Sequence, residues 1–598
     1  MKNKNDKWNL KPLLKSDNDP EANNKRKVLL KESNKFVKKW KNRNDYLKQP
    51  AILKIALDEY EKWQRLYGIW GDEGYYFMLR MQQDQTNPAI RAKFNKIQEF
   101  GIKIANEIEF FELRIGKIDK ITQKEILSDK KLGKYKHFLE KIFDTSKYNL
   151  SEAEERIMNL KSATSHSNWE EMVSSLLSKE EREVYFETEK RVKKHLPEMF
   201  TLLSSKKKKV RDSSAKAINE ILEKISSVAE FEINSILANK KVNDELRGAK
   251  RPDLFRHLGD DINSDIVDTL IESVSKRFDI SQKYYKFKAK LLKLKKLEYH
   301  ERNIDYGKIE KEYSYEKSFK IISSVFKKID EEFSQIVNNF SKNKQVDVYP
   351  RKGKTSGAFC AHGQLSQPTY ILLNHTDKLT DVLTIAHEFG HGINNELMRK
   401  QNSLNFGSST ATAEVASTFM EDFVLENILK NSNDELKLAI MTKKLDSDIS
   451  TIFRQIACYK FEQELHQNFR ASGHLSREEI GKLFQKHMKS YMGNSVIQSP
   501  GSENWWIYWS HIRSFFYVYS YASGLLISKS LQNSFKKDSR FIEKIKYFLS
   551  AGCSESPKNI FSNIGIDISK NSFWNQGISE TEKLLNDTIK LAKILKKI

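Results

Sequence analysis

A chain of 598 residues with only 10 widely separated prolines has room for more than one core and for long helices between the prolines. Three scattered cysteines, Cys360, Cys458 and Cys553, form no CxxC or disulfide framework, and neither a signal-type leader nor about 18 uninterrupted apolar residues occurs; a cytoplasmic protein with no membrane partner is expected. The net charge of +23 invites a nucleic-acid reading, yet 103 basic residues alternate with 80 acidic ones and no groove-reading motif accompanies them, so a solvated basic surface without a specific nucleic-acid partner is expected.

From the start to about residue 190, apolar residues recur every three or four positions, as in segments 59–84 and 90–118, and successive amphipathic helices are expected. The polar, basic segment 195–216 interrupts this pattern and helices resume from 217, which places a boundary between an amino-terminal helical domain, 1–194, and a second domain, 195–598. Near 345–374 the period changes: VDVYP (346–350), SGAFCAHG (356–363) and PTYILLN (368–374) are short, β-branched or aromatic, and punctuated by Gly and Pro. A small sheet is expected there, just ahead of the next helix.

That helix, TDVLTIAHEFGHGINNELM (380–398), carries Val382, Ile385, Ala386, Phe389 and Ile393 at helical spacing, with Asp381 near its positive end. Residues four apart on a helix lie about 40° apart around the axis, so His387 and His391 project side by side and suit one metal ion, with Glu388 beside it. A catalytic zinc takes three protein ligands and keeps one position open for water. Glu414, on the next helical segment after the loop KQNSLNFGSS (400–409), is the third ligand expected, and Glu421, seven residues on, is placed to orient a ligand histidine. Two bland alternatives stand beside this reading: an ordinary pair of helix histidines, and an aromatic core element for HIRSFFYVYSYASG (511–524).

Ordered matches run over nearly the whole chain: KWNLKPLL (7–14), DVYPRKGKTSGAFC (347–360), YILLNHTDKLTDVLTIAHEFGHG (370–392), AEVASTFMED (413–422), FRQIACYKFEQELH (453–466), WIYWSHIRSFFYVYSYASG (506–524) and FLSAGCSESP (548–557). In these the sequence resembles the oligoendopeptidase F branch of the thimet-type zinc oligopeptidases. The resemblance implies a mainly α, two-lobed zinc peptidase with a small β-sheet next to the HExxH helix, enclosing a deep channel that admits short flexible peptides. It also implies that His511 and tyrosines among Tyr517, Tyr519 and Tyr521 face the metal as oxyanion and substrate donors, and that Gly357, Ala358 and Phe359 pair with an extended substrate. Two departures from the family pattern are visible: Asn394 where a histidine is frequent, and Phe515-Phe516 in place of a proline-aromatic pair.

The expected activity is endopeptidase hydrolysis of unstructured oligopeptides by water activated on one Zn2+ per chain, with Glu388 as general base and the chain acting as a monomer. Cys360 lies near the motif but has no identifiable base, and is read as structural or incidental. The rival readings are a basic helical nucleic-acid-binding protein with a vestigial metal site, and an inactive peptide-binding scaffold.

Overall fold

Helix accounts for 71% of the computed structural model, which describes residues 7–187, 190–307 and 312–598. The chain is divided into two compact units, each assembled from three stretches. The first comprises Met1–Lys147, Glu310–Lys430 and Leu531–Ile566; the second comprises Tyr148–Ile309, Asn431–Ser530 and Asp567–Ile598. Residue 195 lies inside the second unit, so this grouping by contact follows a different division from the expected segments 1–194 and 195–598.

In the first unit, the segment expected as one helix over 59–84 is two, Pro50–Tyr67 and Gly71–Gln83, separated by a left-handed turn in which Ile69, Trp70 and Gly71 have φ of 41°, 54° and 73°. The apolar period runs through the break unaltered, and a β-branched residue is a poor predictor of positive φ, so periodicity alone reads straight across it. The expected sheet is present. Tyr370–Leu372 is its central strand, parallel to Val346–Asp347 and antiparallel to the edge strand Phe359–Ala361, with Cys360 opposite Ile371. Trp8, from KWNLKPLL, donates its indole N–H to the Ile371 carbonyl at 2.8 Å, and the Tyr75 hydroxyl donates to the Ala361 carbonyl at 2.9 Å. The amino-terminal segment is thereby fastened to the sheet through a core that includes Leu10, Leu13 and Tyr370.

The second unit is built on a helix of 39 residues, Lys208–Leu246, which starts nine residues earlier than the basic run suggested. Lys208, Lys209, Lys216 and Lys224 face solvent while Val210, Ile218, Ile221, Leu222, Ile225 and Ile233 form a continuous buried stripe. An antiparallel hairpin, Glu181–Tyr185 with Arg191–His195, precedes it; its charged composition masks the strand signal. Among the described residues no helix is long and apolar enough to cross a membrane.

Candidate active site

The helix Leu379–Met398 begins where Asp381 accepts the backbone N–H groups of Thr376 and Lys378 at 2.6 and 3.1 Å, a negative group at the positive end of the helix. Val382, Ile385, Ala386, Phe389 and Ile393 are all buried, as the spacing required. This fixes the rotation of the helix and sets His387 and His391 together on its opposite side. The helix Val415–Lys430 packs against it so closely that a Cβ built on Gly390 would lie 2.6 Å from the Ser417 Cα. Gly390 is therefore what allows the approach, and with it the placement of Glu414, which stands in the turn just before the second helix rather than within it.

One nitrogen from each histidine and one carboxylate oxygen of Glu414 lie within 4.8 Å of one another. Glu414 Oε2 is 3.2 Å from His387 Nε2 and 3.4 Å from His391 Nε2. Tetrahedral donors at about 2.0–2.1 Å from a common centre stand about 3.3–3.4 Å apart, so the donor set fits a single ion. Ser417 Oγ donates to the same Glu414 oxygen at 2.9 Å, and His387 Nδ1 bonds Glu421 Oε2 at 3.2 Å, which turns His387 Nε2 towards Glu414.

The electrostatics agree with a cation-holding site. Burial pulls the His387 pKa down, but Glu414 and Glu421 outweigh it and push it up to about 10. Burial raises Glu414, yet the two imidazoles hold it far below the usual carboxylate range. Glu388 is buried, and burial raises its pKa against the pull of both histidines. The Cys360 thiol is pushed well up by burial and by Glu388 and Glu396, which leaves it un-ionised and supports its structural reading. Asn394 donates to the Leu549 carbonyl at 2.6 Å, so at this departure from the family pattern the side chain ties the motif helix to its neighbour in the core. One other trio could converge on an ion among the described residues, Asp212, His300 and Glu301, but its carboxylates already pair with Lys208 and Arg211.

The remaining expected residues divide by unit. Ala358 and Phe359 are half-buried and Gly357 is exposed with φ of 77°, at and before the edge strand of the sheet; Asn374 donates to the Gly357 carbonyl at 2.7 Å. His511 and the tyrosines belong to the second unit. His511 Nε2 bonds the Tyr521 hydroxyl at 3.1 Å and stacks near Tyr517, with ring centroids 6.0 Å apart. Burial, then the positive charge of Arg454, lowers the His511 pKa and favours its neutral ring. Tyr519 is different: it is fully buried, with its hydroxyl donating to Asp260 at 2.7 Å.

Arg256 and Glu462, which carried no signal of their own in the sequence, shape this segment. Phe515 and Phe516 have φ of 44° and 56°, a left-handed path that a proline at 515, locked near −65°, does not take. Arg256 holds the turn by donating to the Ser514 and Phe515 carbonyls at 2.9 and 3.3 Å, and its guanidinium lies 5.4 Å from the Tyr517 ring centroid. Glu462 accepts the Phe516 N–H at 2.6 Å. Both contacts come from residues distant in sequence, beyond the reach of local spacing.

The profile of peptidase family M3 matches residues 201–580, more than half of the chain, and that of oligopeptidase F matches 114–179. The chain belongs to peptidase family M3. It is a metalloendopeptidase, and the resemblance noted from its motifs is borne out. Among its relatives, an oligoendopeptidase F homolog of Borreliella burgdorferi is 27% identical over 88% of this chain and 93% of its own length. Oligopeptidase PepF of Bacillus subtilis is 25% identical over 94% and 84%. The same fold is found in an oligoendopeptidase-F structure from Enterococcus faecium, with a TM-score of 0.71, 18% identity and coverage of 96% of this chain and 99% of that one.

Proposed function

We propose that this M3 peptidase hydrolyses internal peptide bonds of short unstructured oligopeptides, using one Zn2+ per chain held by His387, His391 and Glu414. The convergence of these three donors beside a buried glutamate carries the reading. When bound, zinc supplies a Lewis acid that polarises a carbonyl and acidifies water. Glu388 takes the proton of the attacking water and delivers it to the leaving amine, and its burial raises its basicity for that task. Glu421 holds His387 in the tautomer whose Nε2 is free to bind the ion.

His511 with Tyr517 and Tyr521 donates to the developing oxyanion, a role supported by the family resemblance and by the bond between His511 and Tyr521. Tyr519, committed to Asp260, serves the core instead. The stretch Gly357, Ala358 and Phe359 pairs with the substrate backbone through the open edge of the sheet, which gives affinity with little sequence demand. Residues 195–598 carry the catalytic groups, a channel excludes folded proteins, and the protein acts as a cytoplasmic monomer; its three cysteines are all unpaired.

The test is product mapping by mass spectrometry on a mixture of unstructured peptides, with wild type and Glu388→Gln at equal zinc loading. Internal fragments from wild type alone are expected. Equal activity of the two proteins would remove Glu388 as the base, and fragments trimmed only from one end would remove the endopeptidase reading.

A further inference from the structure

The second unit contains a cavity of about 550 Å³ whose wall includes His511. Its lining carries three arginines, and they are not equivalent. Arg513 is neutralised by Glu232 through two contacts of 2.6 Å. The acid of the lining, Glu170, acts electrostatically on Glu232 and so belongs to that end. Arg302 and Arg454 make no ion pair among the described residues.

Arg302 is 8% exposed, lies 4.2 and 5.0 Å from the ring centroids of Tyr299 and Trp505, and donates one N–H to the Tyr299 carbonyl at 2.8 Å. Arg454 has its Nε buried with no partner, and the groups that act on it electrostatically are a thiol, Cys458, and the hydroxyls of Tyr491, Tyr299 and Tyr285, with no carboxylate among them. A guanidinium drawn out of water without a carboxylate is costly, and an unpaired buried donor adds to that cost. Three further groups of the same lining, the Tyr299 hydroxyl, Trp509 Nε1 and His511 Nδ1, are also buried without partners. One cavity wall that carries two arginines without a carboxylate, beside three further residues with unpartnered polar atoms, describes a site for an anion.

We propose that this cavity binds the free α-carboxylate of the oligopeptide substrate, with Arg454 and Arg302 as its cationic partners. The guanidinium fork matches a planar carboxylate through paired N–H donors. The aromatic walls, Phe200, Trp505 and Tyr508, suit the side chain of the last residue, and the volume is in the range that holds one or two residues. Every linear peptide carries this carboxylate whatever its sequence, so the site gives a peptidase with broad side-chain tolerance a fixed point from which to measure. The link to cleavage rests on the role given to His511 in the proposed function. The enzyme would then cut at a preferred distance from the carboxyl end.

The experiment compares one peptide as the free acid and as the carboxamide. Hydrolysis is followed with wild type, Arg454→Gln and Arg454→Lys, and binding is measured by calorimetry on Glu388→Gln. The acid is expected to be favoured at least 10-fold in kcat/KM, mostly through KM, with the ratio falling towards one in Arg454→Gln and partly kept in Arg454→Lys. Sodium acetate and sulfate are added as competitors; weakening of the acid alone supports the site, whereas displacement with equal acid and amide binding would mark a general anion site and overturn the proposal. Equal use of acid and amide by wild type overturns it as well, whether or not the variants fold. Acid-selective binding without any hydrolysis would keep this site and sink the peptidase reading.

Discussion

Tyr517, Tyr519 and Tyr521 differ by two positions each in sequence, but their surroundings separate them by task. Tyr519 hands its hydroxyl to Asp260 inside the core and packs edge-on against His257 at 5.7 Å, so removing that oxygen strands a buried carboxylate bond. Tyr519→Phe is expected to lower stability by about 1–3 kcal/mol while leaving kcat of the folded enzyme within a few-fold of wild type. Tyr517 and Tyr521 are only half-buried and stand against His511, so Tyr517→Phe and Tyr521→Phe are expected to keep the melting temperature, and at least one of them to lose about 10²–10³ in kcat. Thermal melts and steady-state kinetics on the three variants check this, and a Tyr519→Phe enzyme that melts normally but no longer turns over would reverse the assignment. The sequence alone leaves these residues alike because a period of two says which side chains share a face of a strand. Here the last two lie in the first turn of a helix, Tyr519–Lys537, after a left-handed turn at Phe515 and Phe516.

At the scale of elements, the metal trio is legible because it depends on helical period and on one short loop, both local properties. What is not legible is how near the two helices must come. Gly390 meets the backbone of Ser417 and Ala416, whereas Gly392 meets the ring of Phe340, with a built Cβ 2.6 Å from the nearest atom in each case. Backbone cannot rotate away, and Ser417 also bonds the carboxylate of Glu414. Gly390→Ala is therefore expected to cost about 1–3 kcal/mol and to weaken zinc retention by displacing Glu414, while Gly392→Ala costs stability by crowding Phe340 with the metal retained. Zinc content after dialysis, alongside melting temperature, distinguishes them; equal retention in both would mean that the helix spacing does not set the ligand geometry. The turn at Ile69–Gly71 and the charged hairpin at 181–195 escape sequence reasoning for a related cause: each is fixed by partners outside its own segment.

On the scale of the whole molecule, the charge of +23 is carried on helices where lysines pair with acids one turn away, as in Lys54–Asp58, Lys276–Glu272 and Lys208–Asp212. Such exposed pairs contribute little to stability, so the pH dependence of folding falls to buried groups. Glu462 is fully buried, one of its oxygens has no partner, and its bond from the Phe516 N–H does not offset burial, which raises its pKa from about 4.5 to about 8. The folded protein thus binds a proton that the unfolded chain has released between these two pH values. Stability from this group is complete below pH 4.5 and declines as pH rises through 8, by about 1.4 kcal/mol for each unit of difference between the folded and unfolded values. Glu462→Gln mimics the protonated carboxyl and removes the titration. Relative to wild type, the variant should therefore gain stability steadily from pH 5 to pH 8 and hold that gain above it, in melts performed across pH 5–9. A stability difference that stays flat over this range would show that the carboxylate is accommodated in its charged form. The guanidinium of Arg256, which already acts on Glu462 while it holds the neighbouring turn, would then be its counter-charge.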